Sequence, residues 1–360
     1  MGKNNNKAQH HAEYPVIVSK KQTSFMPHHV MDYAYFYPVV NMYRTANSKQ
    51  MIIKPAFALK AFFMLMLLFH QGALPSFQNG NADSSPGFGY PYCHGSELTD
   101  YEFTPFDMTT YGELIRLFPE RAPSNAAVGE IITGIGLSFL GTPYVASTLD
   151  MNDEEVLVVN LRGMDCVTFV EYVLAAALTY RAGQTDFFEF AKMVRCLRYR
   201  AGIIEGYASR LHYFTDWLTD NSLKGIISVI SNDLGSATMD TTVNFMSSNP
   251  HLYRHLSDTD VLNQVRQLEQ ELSGQTFRYI PKEEILRYED DLQNGDILAF
   301  VTRIEGLDVS HTGFALHTRG RLHLLHASSR SGKVEISEKP LHEYLKGQTS
   351  VKGILAGRVR

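Results

Sequence analysis

Cysteine is scarce in this chain, which has three in 360 residues. Three cysteines cannot build the dense disulfide framework of a small secreted domain, and none of them has the CxxC spacing of a structural zinc site. If the chain is exported, at least one thiol is therefore left unpaired. That thiol is a candidate nucleophile.

Long blocks of positive charge are also lacking. A net charge of -5 and a pI near 6.3 give no electrostatic surface for a phosphate backbone, so we expect no nucleic-acid partner. The hydrophobic fraction of 44% is enough for a large core, which excludes disorder throughout the chain.

The chain has no apolar run long enough to cross a membrane. Its strongest run, 61–69, is nine residues long, whereas a membrane-spanning helix needs about 20. Lys54 and Lys60 precede this run and a small, polar stretch follows it, so residues 51–82 have the three regions of a signal peptide. We therefore expect export to the periplasm or the cell exterior, without stable membrane insertion after cleavage.

A signal peptide that begins at Met51 leaves an upstream segment to explain. Residues 1–50 show neither a helical nor a strand period. We interpret them as a misassigned upstream start, with a disordered tail as the alternative. Residues 83–104 are then a linker, and residues 105–360 a single catalytic domain.

Two of the cysteines suggest no chemistry. Aromatic residues and a proline precede Cys93, which argues against lipidation at that residue. Cys196 lies in the middle of a predicted helix, and we interpret it as a packing residue.

The hydrophobic period predicts helices first and strands afterwards. The expected helices are one capped by Ser124 and stopped by Gly141, one that follows Asp165, and those over 186–200, 209–221 and 258–272. The expected strands are 276–280, 296–302, 311–318, 322–327, 334–337 and 351–359, with turns at Asn294-Gly295 and Arg319-Gly320. This order predicts an α+β fold with an antiparallel sheet and a helical insertion over about 186–272.

The third cysteine lies where a helix begins. Asp165 is a good N-cap, which places Cys166 in the first turn, where unpaired N–H groups and the helix dipole favour an anion. We therefore expect the pKa of the Cys166 thiol to be lowered. The alternative is a small buried cysteine under the sheet.

A nucleophilic cysteine needs a base, and the second half of the chain offers histidines. If Arg319-Gly320 is a two-residue turn, the residue numbers of each cross-strand pair add up to 639. His311 and His326 then share one face of the hairpin. His311 could take the thiol proton, and His326 could orient its ring. An ordinary half-buried hairpin and a zinc site with a further ligand are the alternatives.

Five motifs in order carry a family resemblance. GTPY (141–144), DCVTFVE (165–171), NGDIL (294–298), SHTGFAL (310–316) and LLHASS (324–329) resemble the NlpC-type cell-wall cysteine peptidases, which have a circularly rearranged papain-like core. SRLHYFTDWLTDN (209–221), GLDVSHTG (306–313) and the final KGILAGRVR resemble one branch of that superfamily, long catalogued as a domain of unknown function. The resemblance covers about residues 105–360.

The resemblance implies a function and a catalytic triad. Members of the branch look like N-acetylmuramoyl-L-alanine amidases that favour small muropeptides ending in 1,6-anhydro-N-acetylmuramic acid. By this resemblance Cys166 is the nucleophile, His311 the base and His326 the orienting third member, on a nucleophile-bearing helix packed against the sheet. We expect a monomer that uses no metal or cofactor. The alternatives are a γ-D-glutamyl-diamino-acid endopeptidase with the same triad, a catalytically silent glycan-binding module and a zinc amidase.

Six further residues are candidates for binding the oxyanion or the substrate. Tyr144 matches a tyrosine beside the nucleophile in the superfamily, although 22 positions separate it from Cys166, against about a dozen in commoner members. Asp165 is the second candidate. The other four match the branch's motif next to Trp217 on a predicted helix and could grip a sugar or a stem-peptide carboxylate: Arg210, His212, Tyr213 and Asp216. For these four the alternative is a solvated helix face with Trp217 in the core.

Overall fold

The computed structural model describes Cys93 and residues 101–118, 126–240 and 242–360. The predicted upstream segment 1–50, the signal peptide 51–82, most of the linker 83–104 and Ser124 lie outside these residues. The helix expected to be capped by Ser124 begins later, at Val128, and its N-cap is Ala127, so that cap was wrong. Within the described part of the chain, none of the helices has the length and apolar character needed to span a membrane.

All but one of the α-helices in the described residues lie before residue 273, and the exception lies near the end of the chain. They are α1 (Pro105–Leu117), α2 (Val128–Ser138), α3 (Cys166–Arg181), α4 (Phe187–Arg198), α5 (Phe214–Leu223), α6 (Ser231–Leu234), α7 (Phe245–Ser248), α8 (Thr259–Leu272) and α9 (Leu341–Lys346). The expected helices over 186–200 and 258–272 are confirmed, and the Asp186 and Asp258 side chains accept hydrogen bonds from their first turns.

The helix predicted over 209–221 begins later, at Phe214. The preceding residues are extended against the end of α4, where Leu211 N–H donates to Arg198 O at 2.9 Å and Tyr199 pairs with Arg210. These interactions with a neighbouring element override the helical period, which continues across the boundary.

The strands are β1 (Tyr101–Glu102), β2 (Leu157–Val158), β3 (Ile227–Ser228), β4 (Ala237–Asp240), β5 (Thr276–Pro281), β6 (Ile297–Thr302), β7 (Val309–Thr318), β8 (Arg321–Ser328), β9 (Lys333–Ile336) and β10 (Val351–Val359). Strands β5 to β10 confirm the expected ones. The main sheet has the order β4-β5-β10-β6-β7-β8-β9, with β3 on β10, and every pairing in it is antiparallel. The α+β class is confirmed, whereas the papain-like core stays a prediction.

The segment expected as a helical insertion is not wholly helical, because β3 and β4 leave it to join the sheet. The core lies between α3 and the sheet strands β7 and β8. Phe169 of α3 meets Phe314 of β7 edge to face, with ring centroids 5.8 Å apart. Helix α3 is thus fixed with its N-terminus near the beginning of β7.

A disulfide joins Cys93 to Cys196, 103 residues along the chain. The interpretation of Cys196 as a packing residue was therefore wrong in part, because this buried sulfur is also covalently bonded. The Cys93 sulfur is occupied, which agrees with the argument against its lipidation. Cys166 remains as the free thiol.

Candidate active site

Cys166 is the first residue of α3, and Asp165 is its N-cap, as the sequence predicts. Asp165 Oδ1 accepts hydrogen bonds from the N–H groups of Val167 (3.1 Å) and Thr168 (2.8 Å). The Thr168 hydroxyl accepts in turn from the Asp165 N–H at 2.9 Å. This reciprocal capping box holds the Cys166 side chain at a fixed helix end.

The electrostatic environment of the thiol differs from the expected one. Burial, followed by the adjacent Asp165 carboxylate, raises the pKa of Cys166 to about 12. Backbone N–H groups of Thr312, Cys166 and Val167 favour the thiolate but do not outweigh these two causes. The expected lowering of the pKa was wrong, because the capping residue that marks the helix start also places a negative charge beside the sulfur.

The two predicted histidines meet on the hairpin. Strands β7 and β8 pair Phe314 with Leu325, which confirms the predicted register. His311 Nε2 and His326 Nδ1 are 2.6 Å apart, and the rings are nearly perpendicular at 86°. One ring nitrogen of each histidine is therefore committed to the other.

Both imidazoles are neutral bases near pH 7. Burial, helped by the neighbouring His326, lowers the pKa of His311 to about 3. Burial alone lowers the pKa of His326 to about 4. The raised pKa of the thiol and the lowered pKa values of both rings favour a protonated thiol and neutral imidazoles over a thiolate–imidazolium pair.

Thr312 connects the cysteine to the histidines. Its backbone N–H donates to the Cys166 sulfur, and it directly follows His311 in β7. Gly313 comes next, and a Cβ atom there would lie 2.7 Å from Leu325 O and 2.8 Å from the His326 Cβ. A glycine at this position therefore allows β7 and β8 to approach closely beside the histidine pair.

Tyr144 lies within electrostatic range of the nucleophile despite its distance along the chain. A parallel bridge pairs Tyr144 with Met164, two residues before Cys166. Burial, then Cys166, then Asp165 raise the pKa of Tyr144 to about 12, so the phenol remains a hydrogen-bond donor. The pairing of the two ends of the intervening loop thus brings Tyr144 close to Cys166 in the fold, and its role stays a prediction.

That loop is held by two arginines of the predicted insertion. Arg210 binds Asp150 at 2.5 Å, and Arg254 forms an ion pair with Asp153 and donates to Met151 O at 2.7 Å. The loop is therefore a fixed part of the surface next to Tyr144.

The structure gives the four residues of the branch motif internal partners. Arg210 is buried over the Tyr207 ring at 4.8 Å, and His212 Nε2 contacts Tyr207 O at 2.7 Å. Burial, followed by Arg210, lowers the pKa of His212 to about 3.

The Tyr213 hydroxyl donates to Glu269 at 2.7 Å, and Asp216 binds Arg200 through both oxygens, at 2.8 and 2.7 Å. Trp217 is fully buried. Substrate contact by the motif residues stays a prediction, whereas their structural contacts are extensive.

Sequence reasoning missed the role of Asp308, although it lies in the GLDVSHTG motif. Its buried carboxylate accepts hydrogen bonds from Thr215 N–H (2.7 Å) and hydroxyl (2.8 Å), and from Val309 N–H (2.7 Å). It thereby fixes the first turn of α5 to the beginning of β7, two residues before His311.

Two other features of the described residues are separate from the predicted triad. Among these residues, no group of three or more His, Cys, Asp or Glu is placed to hold a metal ion. A cavity of about 510 Å³ lies at the start of α2 and is lined in part by Glu130, Asn294, His317 and Arg358.

Comparisons with known proteins give an amidase-like family and amidase neighbours, together with one neighbour of a different name. The AmiA-like family model, described as N-acetylmuramoyl-L-alanine amidase-like, matches residues 134–354. The crystal structure of an N-acetylmuramoyl-L-alanine amidase from Bacteroides uniformis matches this chain with a TM-score of 0.62 and 36% sequence identity. The match covers 65% of this chain and 99% of that one.

A Bacteroides fragilis protein whose given name is xylanase is 39% identical, with a TM-score of 0.59, and the match covers 62% of this chain and 98% of that one. A Legionella pneumophila protein, 21% identical with a TM-score of 0.54, shows likeness of fold alone over 70% of this chain and 94% of that one. Among curated proteins, none matches significantly.

Proposed function

The chain belongs to the AmiA-like family, which is N-acetylmuramoyl-L-alanine amidase-like, and from this premise we propose that it hydrolyses the amide between N-acetylmuramic acid and L-alanine in peptidoglycan fragments. The proposed substrates are small muropeptides ending in 1,6-anhydro-N-acetylmuramic acid, as the sequence resemblance implies. The proposal is supported by the free Cys166 thiol at a helix start, whose sulfur accepts from the N–H of Thr312, the residue after His311 in β7, and by the contact between His311 and His326.

Proton transfer and attack are coupled in this proposal. The resting thiol is protonated, because burial and Asp165 raise the pKa of Cys166 to about 12. His311 is neutral, and its Nδ1 is the nitrogen that the contact with His326 leaves available. The thiol proton moves to this Nδ1 as the sulfur attacks the lactyl carbonyl carbon, which forms a tetrahedral intermediate.

The developing oxyanion needs donors that are already in place. The backbone N–H of Cys166 belongs to the first turn of α3, where N–H groups have no intrahelical partner. The Tyr144 hydroxyl is a second donor in this proposal, because its raised pKa keeps it protonated at neutral pH. Such preorganised donors typically contribute about 3 kcal/mol each to transition-state stabilisation.

Collapse of the intermediate completes the first half of the reaction. His311 donates its proton to the L-alanine nitrogen, the carbon–nitrogen bond breaks, and a thioester between Cys166 and the lactyl group remains. Water then loses a proton to His311 as it attacks the thioester, and the sulfur leaves and recovers that proton. Nucleophile, acid and base are all side chains of this chain, so the proposed cycle needs no cofactor.

In this proposal the residues of the branch motif affect substrate binding indirectly, by holding the loop that follows Tyr144. Arg210 fixes Asp150 in the loop that begins after Tyr144, which places the loop along one side of the site. His212, Tyr213 and Asp216 support the segment that carries Arg210. We propose that the loop, rather than these buried side chains alone, faces the sugar or the stem peptide.

The disulfide supports export. Disulfides form and persist in oxidising compartments, and Cys93 is bonded to Cys196 while Cys166 remains free. We propose that the chain acts in the periplasm or outside the cell, after removal of a leader upstream of Cys93, as a monomer without a nucleic-acid partner.

The proposal is tested by the masses of the products. Purified protein is incubated with an anhydromuropeptide that carries a tetrapeptide stem, in the presence and absence of a metal chelator. Release of the intact stem and the anhydro-disaccharide, unaffected by the chelator, supports the amidase. A sugar that retains L-alanyl-D-glutamate indicates the γ-D-glutamyl endopeptidase instead.

Three other outcomes contradict the cysteine amidase. Loss of cleavage with the chelator indicates a zinc amidase, and binding without cleavage indicates a silent glycan-binding module. Hydrolysis of xylan, included because of the name of the Bacteroides fragilis protein, would indicate a glycosidase, which needs two carboxylates across the scissile bond.

A further inference from the structure

His326 has a second ring nitrogen, which the proposed mechanism does not use. Its Nδ1 contacts His311, while its Nε2 is buried and has no hydrogen-bond partner in the described part of the chain. Glu335 Oε1 lies 3.9 Å from this Nε2. A buried nitrogen that faces a carboxylate just beyond hydrogen-bond distance is a candidate member of the catalytic chain.

The backbone holds this pair together. His326 in β8 and Glu335 in β9 are direct cross-strand partners, so their side chains leave the same face of the sheet at adjacent positions. Strand β9 is held from its other side, where Val334 N–H donates to Thr142 O at 2.8 Å and Val334 O accepts from Gly141 N–H at 2.9 Å. The contact is therefore fixed by strand register.

The proton positions in the histidine pair decide what Glu335 can do. For His311 Nδ1 to accept the thiol proton, its Nε2 must carry hydrogen and donate to His326 Nδ1. Neutral His326 then has its own hydrogen on Nε2, which points toward Glu335. The tautomer that catalysis requires is the one that leaves a donor facing the carboxylate.

The other groups around the pair give a carboxylate on one side. The Tyr344 ring of α9 packs against His326, and Tyr344 itself lies within electrostatic range of Glu335 and Arg330. Cys166, Tyr144 and Asp165 act on one another at the start of α3. Asp165 is occupied by the helix cap, and the Tyr344 ring stands 5.7 Å from that of His326. Glu335 is the carboxylate that faces His326.

We propose that Glu335 is a positioning residue that accepts the His326 Nε2–H and stabilises the imidazolium formed when His311 takes the Cys166 proton. A side-chain rotation of Glu335, which is 30% exposed, brings its oxygen within hydrogen-bond distance. The transferred proton stays on His311 Nδ1 until the amine leaves, and none moves to Glu335. The inference rests on the proposed function, because it assumes the Cys166–His311 reaction.

The test compares Glu335→Ala and Glu335→Gln with the matched control Glu338→Gln, which alters an exposed acid in the segment after β9. Glu335→Ala should lower kcat/KM for the anhydromuropeptide about tenfold, mainly through kcat, because one nearby charge on the transition state is lost. Glu335→Gln should lie between Ala and wild type, because its amide oxygen still accepts a hydrogen bond. Glu338→Gln should match wild type.

The pH profile and the imidazole NMR spectrum separate positioning from a merely structural effect. Removing the carboxylate disfavours the charged imidazolium, so the acid limb of kcat/KM should move to lower pH in Glu335→Ala. The ¹⁵N resonances of His326 should show hydrogen on Nε2 in the wild type and a mixture of tautomers in Glu335→Ala. Unchanged tautomer and acid limb in Glu335→Ala would overturn the proposal, whatever happens to the rate.

These readouts also separate this inference from the proposed function. The NMR measurement needs no muropeptide. If the protein fails to cleave the muropeptide while the His326 tautomer still depends on Glu335, the amidase proposal fails and the positioning role stands. If cleavage proceeds as proposed and the His326 tautomer is the same with and without the Glu335 carboxylate, only the positioning role fails.

Discussion

The protonated resting thiol gives the sharpest physical prediction. Burial and Asp165 raise the pKa of Cys166 from an ordinary value of 9.0 to about 12. A three-unit rise lowers the thiolate population near neutral pH about 1000-fold, while the greater intrinsic nucleophilicity of a more basic thiolate recovers a factor of about 16 to 32. Alkylation of Cys166 at pH 7 should therefore be about 30- to 60-fold slower in the folded protein than in the denatured chain.

The perturbation that tests the cause is Asp165→Asn. Asparagine caps a helix about as well as aspartate, so the first turn of α3 is retained while the negative charge is removed. We expect the thiolate population to rise about tenfold and the alkylation rate about three- to fourfold, since the effect of one adjacent charge is weakened by partial exposure. The control is Asp186→Asn, the same change at the N-cap of α4, where Asp186 accepts from Phe188 N–H at 2.8 Å.

The assay is iodoacetamide labelling followed by protein mass over pH 6–11. Cys93 and Cys196 are joined in a disulfide and Cys166 is the free thiol, so the mass gain reports on one sulfur. The rate should keep rising above pH 9, and Asp165→Asn should shift the curve to lower pH. A wild-type rate that already reaches its plateau below pH 8 would contradict a protonated resting thiol, because it would show a preformed thiolate.

Three further predictions concern packing, the disulfide and pH. Gly313→Ala should lower kcat/KM about 100-fold, because its Cβ would lie 2.7 Å from Leu325 O and displace the histidine pair. The control Gly112→Ala, in α1 with open space around it, should leave kcat/KM unchanged. Equal kcat/KM values for the two variants would contradict close packing at Gly313. Replacing both Cys93 and Cys196 by serine should cost about 4 to 5 kcal/mol in the free energy of unfolding measured in urea, because the bond closes a loop of 103 residues; a loss under 1 kcal/mol would be inconsistent with it. The free energy of unfolding should also fall between pH 7 and pH 5, because the pKa of His311 is lowered to about 3 and that of His326 to about 4. Below pH 6.5 the unfolded chain then binds protons that the folded chain does not, and each ring lowers the free energy of unfolding by about 2 kcal/mol at pH 5. A urea midpoint that does not change with pH would contradict neutral buried imidazoles.

Much of the sheet could be predicted because its signals are local. Strands β5 to β10 follow from alternating or continuous apolar runs between glycine-containing turns. The Arg319-Gly320 turn alone fixes the register that brings His311 to His326. The short strands β3 and β4 were missed, because strands of two and four residues carry too little periodicity to be distinguished from loops.

The features that the sequence did not reveal depend on distant partners. The Cys93–Cys196 disulfide joins residues 103 positions apart, and Asp308 acts on Thr215, 93 positions earlier. The pKa of Cys166 could not be predicted from the helix start, because burial comes from the packing of other elements around the sulfur and outweighs the dipole.

The acyl group that Cys166 carries during turnover can be identified from the mass of a trapped acyl-enzyme. The protein is mixed with the anhydromuropeptide, quenched with acid at short times, digested and analysed for an adduct on the peptide that contains Cys166. The account predicts a thioester that carries the anhydro-disaccharide through its lactyl group, with no amino acid attached, and its absence in Cys166→Ala, which should also lose turnover. Continued turnover in Cys166→Ala, or an adduct that retains L-alanyl-D-glutamate, would contradict it.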